Sequence, residues 1–274
     1  MKAFRRRISA ISLNGATSEV ILIKLIINAD DFGYSPHVNA AIVKAFADGL
    51  ISSTTLMPNM PGFDDAVSLI KNGRIPTDST GIHLNLFEGE PLTEQMKECR
   101  VFCDEDGRFN GKRISFSAPR HCLEVVRLEL ETQLQRALDT GITFTHLDSH
   151  AHRHTNWFVG KIVIDLARKH GISAIRQTTN LGKSNLQRTI LRLLYNLRLG
   201  SLRKTRYFGN IPDMNAAYQR ICGITDGSAV EIMSHPVLDD DGQLVDAEFK
   251  QPLSELLSPF IDSPVFVKCS FSKL

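Results

Sequence analysis

Short apolar runs alternate with amphipathic stretches of helix length along most of the chain. The runs predict strands over 21–28, 53–58, 80–86, 143–148, 173–177, 229–234 and 265–271. The stretches between them predict helices over 38–48, 64–72, 123–139 and 157–170. Gly49, Gly73, Gly141 and Gly171 stand at or just beyond those helix ends, where a left-handed residue closes the last turn. Along 123–139 the leucines at 128, 130, 134 and 138 fall near one face. Strand, helix with terminal glycine, then strand is the order of parallel βαβ units. Seven strands in a chain of this length predict an α/β fold, a distorted TIM-like barrel, with an open doubly wound sheet as the alternative.

Composition narrows the class. The chain has 274 residues, enough for one sizeable core, with 42% hydrophobic and 23% charged residues, as in ordinary globular proteins. A formal net charge of +2 gives no reason to expect nucleic acid as a partner. The longest apolar run, 20–27, is interrupted by Lys24 and falls far short of the roughly 18 residues of a membrane span. Five cysteines without a CxxC pair predict free thiols in a reducing compartment, and hence a cytoplasmic location. Residues 1–20 are Arg-rich at the start and lack an apolar targeting core, so they are set aside as a disordered N-terminal extension to a single domain over 21–274. The segment 188–208 carries Arg188, Arg192, Arg198, Arg203, Lys204 and Arg206 around leucines at helical spacing. It is expected to be a solvated amphipathic helix or a packing insertion, with weak contact to a membrane surface or an anionic substrate as the second reading. A symmetric homodimer is the expected assembly on frequency alone.

The chemistry-bearing residues gather at the C-terminal ends of the predicted strands, the edge on which α/β barrels build active sites. Strand 21–28 runs into Asn28, Asp30 and Asp31 in NADDFG; strand 80–86 carries His83 in GIHLNL; strand 143–148 continues as HLDSHAHRH; strand 229–234 is followed by His235 in MSHP. Six of the nine histidines fall in these places. On an extended backbone His146, Asp148 and His150 share one face. One carboxylate and two imidazoles from different strands describe a facial site for a divalent cation with open positions. Such a cation would explain two adjacent acids at the mouth of a buried strand: one ligates, and its neighbour stays free as a general base.

NADDFG, GIHLNL with GEPL after it, HLDSHAH and EIMSHP, in this order over about residues 21–245, resemble the motifs of the YdjC-like carbohydrate deacetylase family. The resemblance implies a TIM-barrel-like fold and a metal-dependent hydrolase that removes acetyl groups from N-acetylated sugars such as chitooligosaccharides. Residue by residue, it implies Asp31, His83 and His150 as ligands of one Mg2+ or Zn2+ ion, Asp30 as catalytic base and His235 as the acid. Asp148 would orient His235 or a ligand histidine, while His146, His152 and Asn28 would support the site or meet substrate. The region after Asp246 departs from the family pattern.

The expected reaction is attack of a cation-bound water on the acetamide, with Asp30 taking the water proton and His235 protonating the leaving amine. Two other readings fit parts of the pattern. A mononuclear iron oxygenase also uses two histidines and a carboxylate, but needs neither a spare Asp30 nor a protonated His235. A non-catalytic carbohydrate-binding relative would want more stacking rings than one Trp and four Tyr.

Overall fold

The computed structural model describes residues 8–11, 17–20, 22–112, 119–182, 186–224 and 227–274. Its main elements are β1 (Ile23–Phe32), α1 (Pro36–Ala47), β2 (Ser53–Leu56), α2 (Phe63–Lys71), β3 (Thr80–Leu84), α3 (Arg120–Leu138), β4 (Leu147–Ser149), α4 (Trp157–Lys169), α5 (Leu186–Leu199), β5 (Tyr207–Asn210), α6 (Ile211–Cys222), β6 (Ala229–Ser234), α7 (Leu253–Ile261) and β7 (Phe266–Lys268). All seven strands pair in parallel, six of them in the order β4-β3-β2-β1-β6-β5 and β7 beside β1 off that path. β6 runs along one edge of β1 from Lys24 to Ala29. The other edge is shared by β7 at Ile23–Leu25 and by β2 from Asn28 onward. The two ends of this curled sheet approach through single bridges, Leu147 to Ile175 and Ala174 to Arg203, while Arg206 N–H reaches the Ala229 carbonyl. A distorted barrel results, as the length and strand pattern predict.

β1 explains itself. Covered on both faces, it reads as an almost continuous apolar run rather than an alternating one, and its buried residues sit at the centre of the core. α1 is opened by Ser35, whose hydroxyl accepts from Val38 N–H, with Pro36 in the first turn. α3 buries Val126, Leu130, Leu134 and Ala137 along one face, together with two polar residues, Glu129 and Gln133. Gln133 accepts from Asn85 N–H at 2.9 Å and donates to the Asn85 carbonyl at 2.7 Å. Glu129 accepts from the Leu92 and Thr93 amides. A helix on the outside of the barrel thereby fixes the loop that follows β3 at the mouth.

The predicted helices match α1, α2, α3 and α4 to within three residues at either end. The strand predicted over 143–148 is shorter than expected, β4 beginning only at Leu147, and 173–177 contributes bridges rather than a strand. β5 has no counterpart among the predicted strands: YFGN is short, contains Gly209 and begins at the last two residues of the basic segment. Residues Ile8–Ile11 and Thr17–Val20 pair as antiparallel strands, and the rest of the extension over 1–20 lies outside the described residues.

Gly81 is required by close approach. A Cβ on Gly81 would stand 2.5 Å from Cε1 and Nδ1 of His146, whose ring is stacked on Phe271 at a centroid distance of 3.6 Å. Gly81→Ala is therefore expected to destabilise the protein by about 1–3 kcal/mol through overpacking. A lower denaturation midpoint with an unchanged slope in urea would show it.

Candidate active site

At the end of β1 the chain gains one residue against β2: Ala29 pairs with Thr54, but Phe32 pairs with Leu56. This bulge, with Asp31 in the left-handed region at φ 70°, turns two consecutive carboxylates in different directions. Asp30 points into the buried interior and Asp31 toward the partly open rim.

Asp31 Oδ1 lies 2.8 Å from His150 Nδ1 and 3.3 Å from His83 Nε2. One donor atom from each of these three residues falls within 4.8 Å of the others. Each imidazole is backed by a further carboxylate on its other nitrogen. Asp148 Oδ1 stands 2.6 Å from His83 Nδ1, and Glu88 Oε1 stands 2.6 Å from His150 Nε2. Burial alone would push the His83 imidazole down, but Asp148 and Asp31 bring it up to about 10. Against the same desolvation, hydrogen bonds donated to Asp31 and Glu88 raise His150 to about 9. Desolvation would raise Asp31, yet the two imidazoles hold its carboxyl well below the usual range.

Beneath this group lies Arg176, fully buried. Its Nη1 and Nη2 each lie 2.7 Å from an oxygen of Asp30, Nη1 is also 2.6 Å from Asp148 Oδ2, and Nε is 2.6 Å from Glu231 Oε1. Asn28 Nδ2 adds a hydrogen bond to Asp30 Oδ1 at 2.8 Å. Burial raises the Asp30 carboxyl, but the guanidinium outweighs it and holds the group far below its ordinary value. The Glu231 carboxyl shares the same cation with two others, and desolvation pushes it up to about 7.

The donor set suits a divalent ion. Asp30, Asp148 and Glu231 gather around one guanidinium while Asp31 and Glu88 meet the two imidazoles, so five carboxylates face one arginine and two histidines. A second trio, Asp30, His83 and Asp148, is equally compact, but it is fully buried and its carboxylates already meet Arg176. Asp31, His83 and His150 are the residues that could hold a metal within reach of substrate.

His235 follows β6. Its backbone N–H donates to Asp246 Oδ2 at 2.9 Å, and Asp246 Oδ1 accepts from Glu248 and Phe249, so one buried carboxylate shapes the loop. The ring is about a quarter exposed, with Nδ1 4.0 Å from Glu248 Oε2, and its charge contributes to lowering Asp30. Asp148 serves His83 and Arg176, and no hydrogen bond to His235 is seen.

His146 and His152 are not brought to the trio. The extended backbone that would align His146 with His150 ends at Ser149: His150 begins a tight turn in which Ala151 and His152 are left-handed. His146 is packed on Phe271, and burial keeps its ring neutral. His152 stands edge-on to Phe208 at 5.6 Å, and desolvation lowers it to about 4. Arg176, Glu88 and Glu231 were not singled out from sequence. The signal available for Glu231 and Arg176 was an ionisable residue inside a predicted buried strand, which is rare without a partner.

The profile of the family described as "YdjC-like protein" matches residues 24–259. The chain belongs to the YdjC-like family. Among its relatives, a carbohydrate deacetylase of Brevibacillus brevis is 35% identical over 236 residues, covering 85% of this chain and 90% of the relative. Another from Clostridium beijerinckii is 33% identical, covering 84% and 88%. The YdjC-like chain also superimposes on the crystal structure of an Enterococcus faecalis protein assigned to cellobiose-phosphate cleavage. The TM-score is 0.72 and the identity 23%, over 91% of this chain and 98% of that one, a likeness of fold.

Proposed function

We propose that this YdjC-like protein is a metal-dependent deacetylase of N-acetylated sugars, of chitooligosaccharide or related type. The observation that carries the reading is the convergence of Asp31, His83 and His150 on one point, with a second, separately held carboxylate beside it. The curated relatives, named carbohydrate deacetylases, supply the substrate class. A divalent ion bound by Asp31, His83 and His150 would polarise the amide carbonyl and acidify a water.

The chain's own groups do the rest. Asp148 and Glu88 occupy the outer nitrogens of His83 and His150, fixing their tautomers and directing the inner nitrogens at Asp31. Arg176 grips Asp30 through both oxygens and sets its orientation. Oδ1 of Asp30 also accepts from Asn28, whereas Oδ2 accepts only from Nη1, so Oδ2 is the oxygen with capacity to take a proton from the attacking water. The amine leaving a tetrahedral adduct is too basic to depart unprotonated, and the His235 imidazolium would supply that proton. The oxygenase reading has no use for Asp30 or His235.

The test is release of free acetate from a panel of N-acetylated sugars with magnesium or zinc present, under anaerobic conditions. Activity that disappears on chelation and returns with metal is expected. Acetate release that persists after chelation, or activity that requires oxygen, overturns the reading.

A further inference from the structure

Six of the eight large apolar side chains exposed among the described residues lie on one helix, α5. Leu186, Ile190, Leu193, Leu194 and Leu197 recur at helical spacing, and Leu186 and Leu197 are about three-quarters exposed, at 76% and 75%. The opposite face is docked: Tyr195 and Leu199 are buried, Asn196 Nδ2 donates to Gln177 Oε1 at 3.2 Å, and the Arg198 guanidinium lies 3.4 Å over the Trp157 ring. Gln177 follows Arg176, and Trp157 follows the turn that begins at His150. α5 therefore sits beside the mouth of the barrel with its leucines turned outward.

The charge along this stretch of the chain is one-sided. The 47 residues from 166 to 212 contain ten Lys or Arg and no Asp or Glu, in a chain with 30 acids. Arg176 is neutralised inside the barrel and Lys169 meets Glu131, but Arg168 and Arg198 give their hydrogens to backbone carbonyls, which leave the positive charge in place. A two-fold dimer through α5, whose 14 residues carry three arginines and no acid, would bring two sets of like charge together, which electrostatics opposes. An anionic lipid surface accepts both features at once, apolar side chains below the headgroups and cations among them. Among the described residues no helix is long and apolar enough to cross a membrane, so α5 would lie in the interface rather than span it.

We propose that the leucine face of α5 docks the protein on an anionic bilayer surface, with the barrel mouth beside the lipid headgroups. The test is co-sedimentation of the full chain with vesicles of phosphatidylcholine alone and of phosphatidylcholine and phosphatidylglycerol in equal parts. Binding to the anionic vesicles is expected, weakening as salt is raised. The double substitution Leu193→Glu and Leu197→Glu should reduce that binding on the order of a hundredfold. Should the double variant not melt cooperatively, Leu186→Gln, at the most exposed position, should still lower binding by about tenfold. The proposal is overturned if the wild-type chain stays in the supernatant with anionic vesicles, or if the folded variants bind as tightly as wild type. Light scattering that shows a dimer dispersed by these substitutions would overturn it too. None of these readouts depends on deacetylase activity.

Discussion

Asp30→Asn is expected to lower the deacetylation rate by about 10²–10⁴-fold while leaving close to one divalent ion per chain. The two halves of that result come from different oxygens. Asp31 lies against both imidazoles, whereas Asp30 points away into the Arg176 fork, so an amide at position 30 removes the proton acceptor without removing a ligand. Asp31→Asn should do the reverse, with bound metal falling first and activity following. Metal content is read by elemental analysis after gel filtration, and loss of metal in Asp30→Asn would mean the two roles are exchanged. The pH dependence carries a second check. Because Arg176 holds the Asp30 carboxyl far below its ordinary value, Asp30 stays ionised throughout the working range and sets no acid limb there. Protons compete instead for His83 and His150, raised to about 10 and about 9 by their carboxylate neighbours, so metal affinity is expected to rise with pH.

The sequence made the parallel strands, their order along the chain and the rim position of the chemistry readable, because buried parallel strands are apolar runs and polar residues at their ends stand out. Asp31, His83 and His150 could be picked by type and motif. Their depth could not. Period-two reasoning put His146 on the same face as His150, but it assumes extended backbone, and the chain turns at Ser149 with two left-handed residues. Arg176 gives only a partial sign for a related reason: an ionisable residue in the short strand expected over 173–177 calls for a buried partner, but the partners, Asp30, Asp148 and Glu231, arrive from three other strands. Glu88 sat in a loop and looked like surface charge. Its approach to His150 depends on α3, whose Glu129 and Gln133 tie that loop down from outside the barrel.

Arg176→Met should be the most destabilising single change in the interior, by about 3–5 kcal/mol at neutral pH. Arg176 is the cation shared by three buried carboxylates, and an apolar side chain fills the volume without meeting any of them. The sign with pH follows from what each acid then does. Without the guanidinium, desolvation acts unopposed on Asp30, which the arginine had kept low, and on Glu231, already pushed up to about 7. Folded-state values raised above the unfolded ones confer stability that is present at low pH and lost as pH rises through them. The deficit relative to wild type opens above the low wild-type value of Asp30 and should therefore be larger at pH 8 than at pH 5, as urea denaturation at both values would show. Arg176→Lys should recover only part of the loss, since a single ammonium cannot offer the fork that meets Asp30 through two nitrogens and Glu231 through a third. A deficit equal at both pH values would assign the loss to packing volume instead of charge.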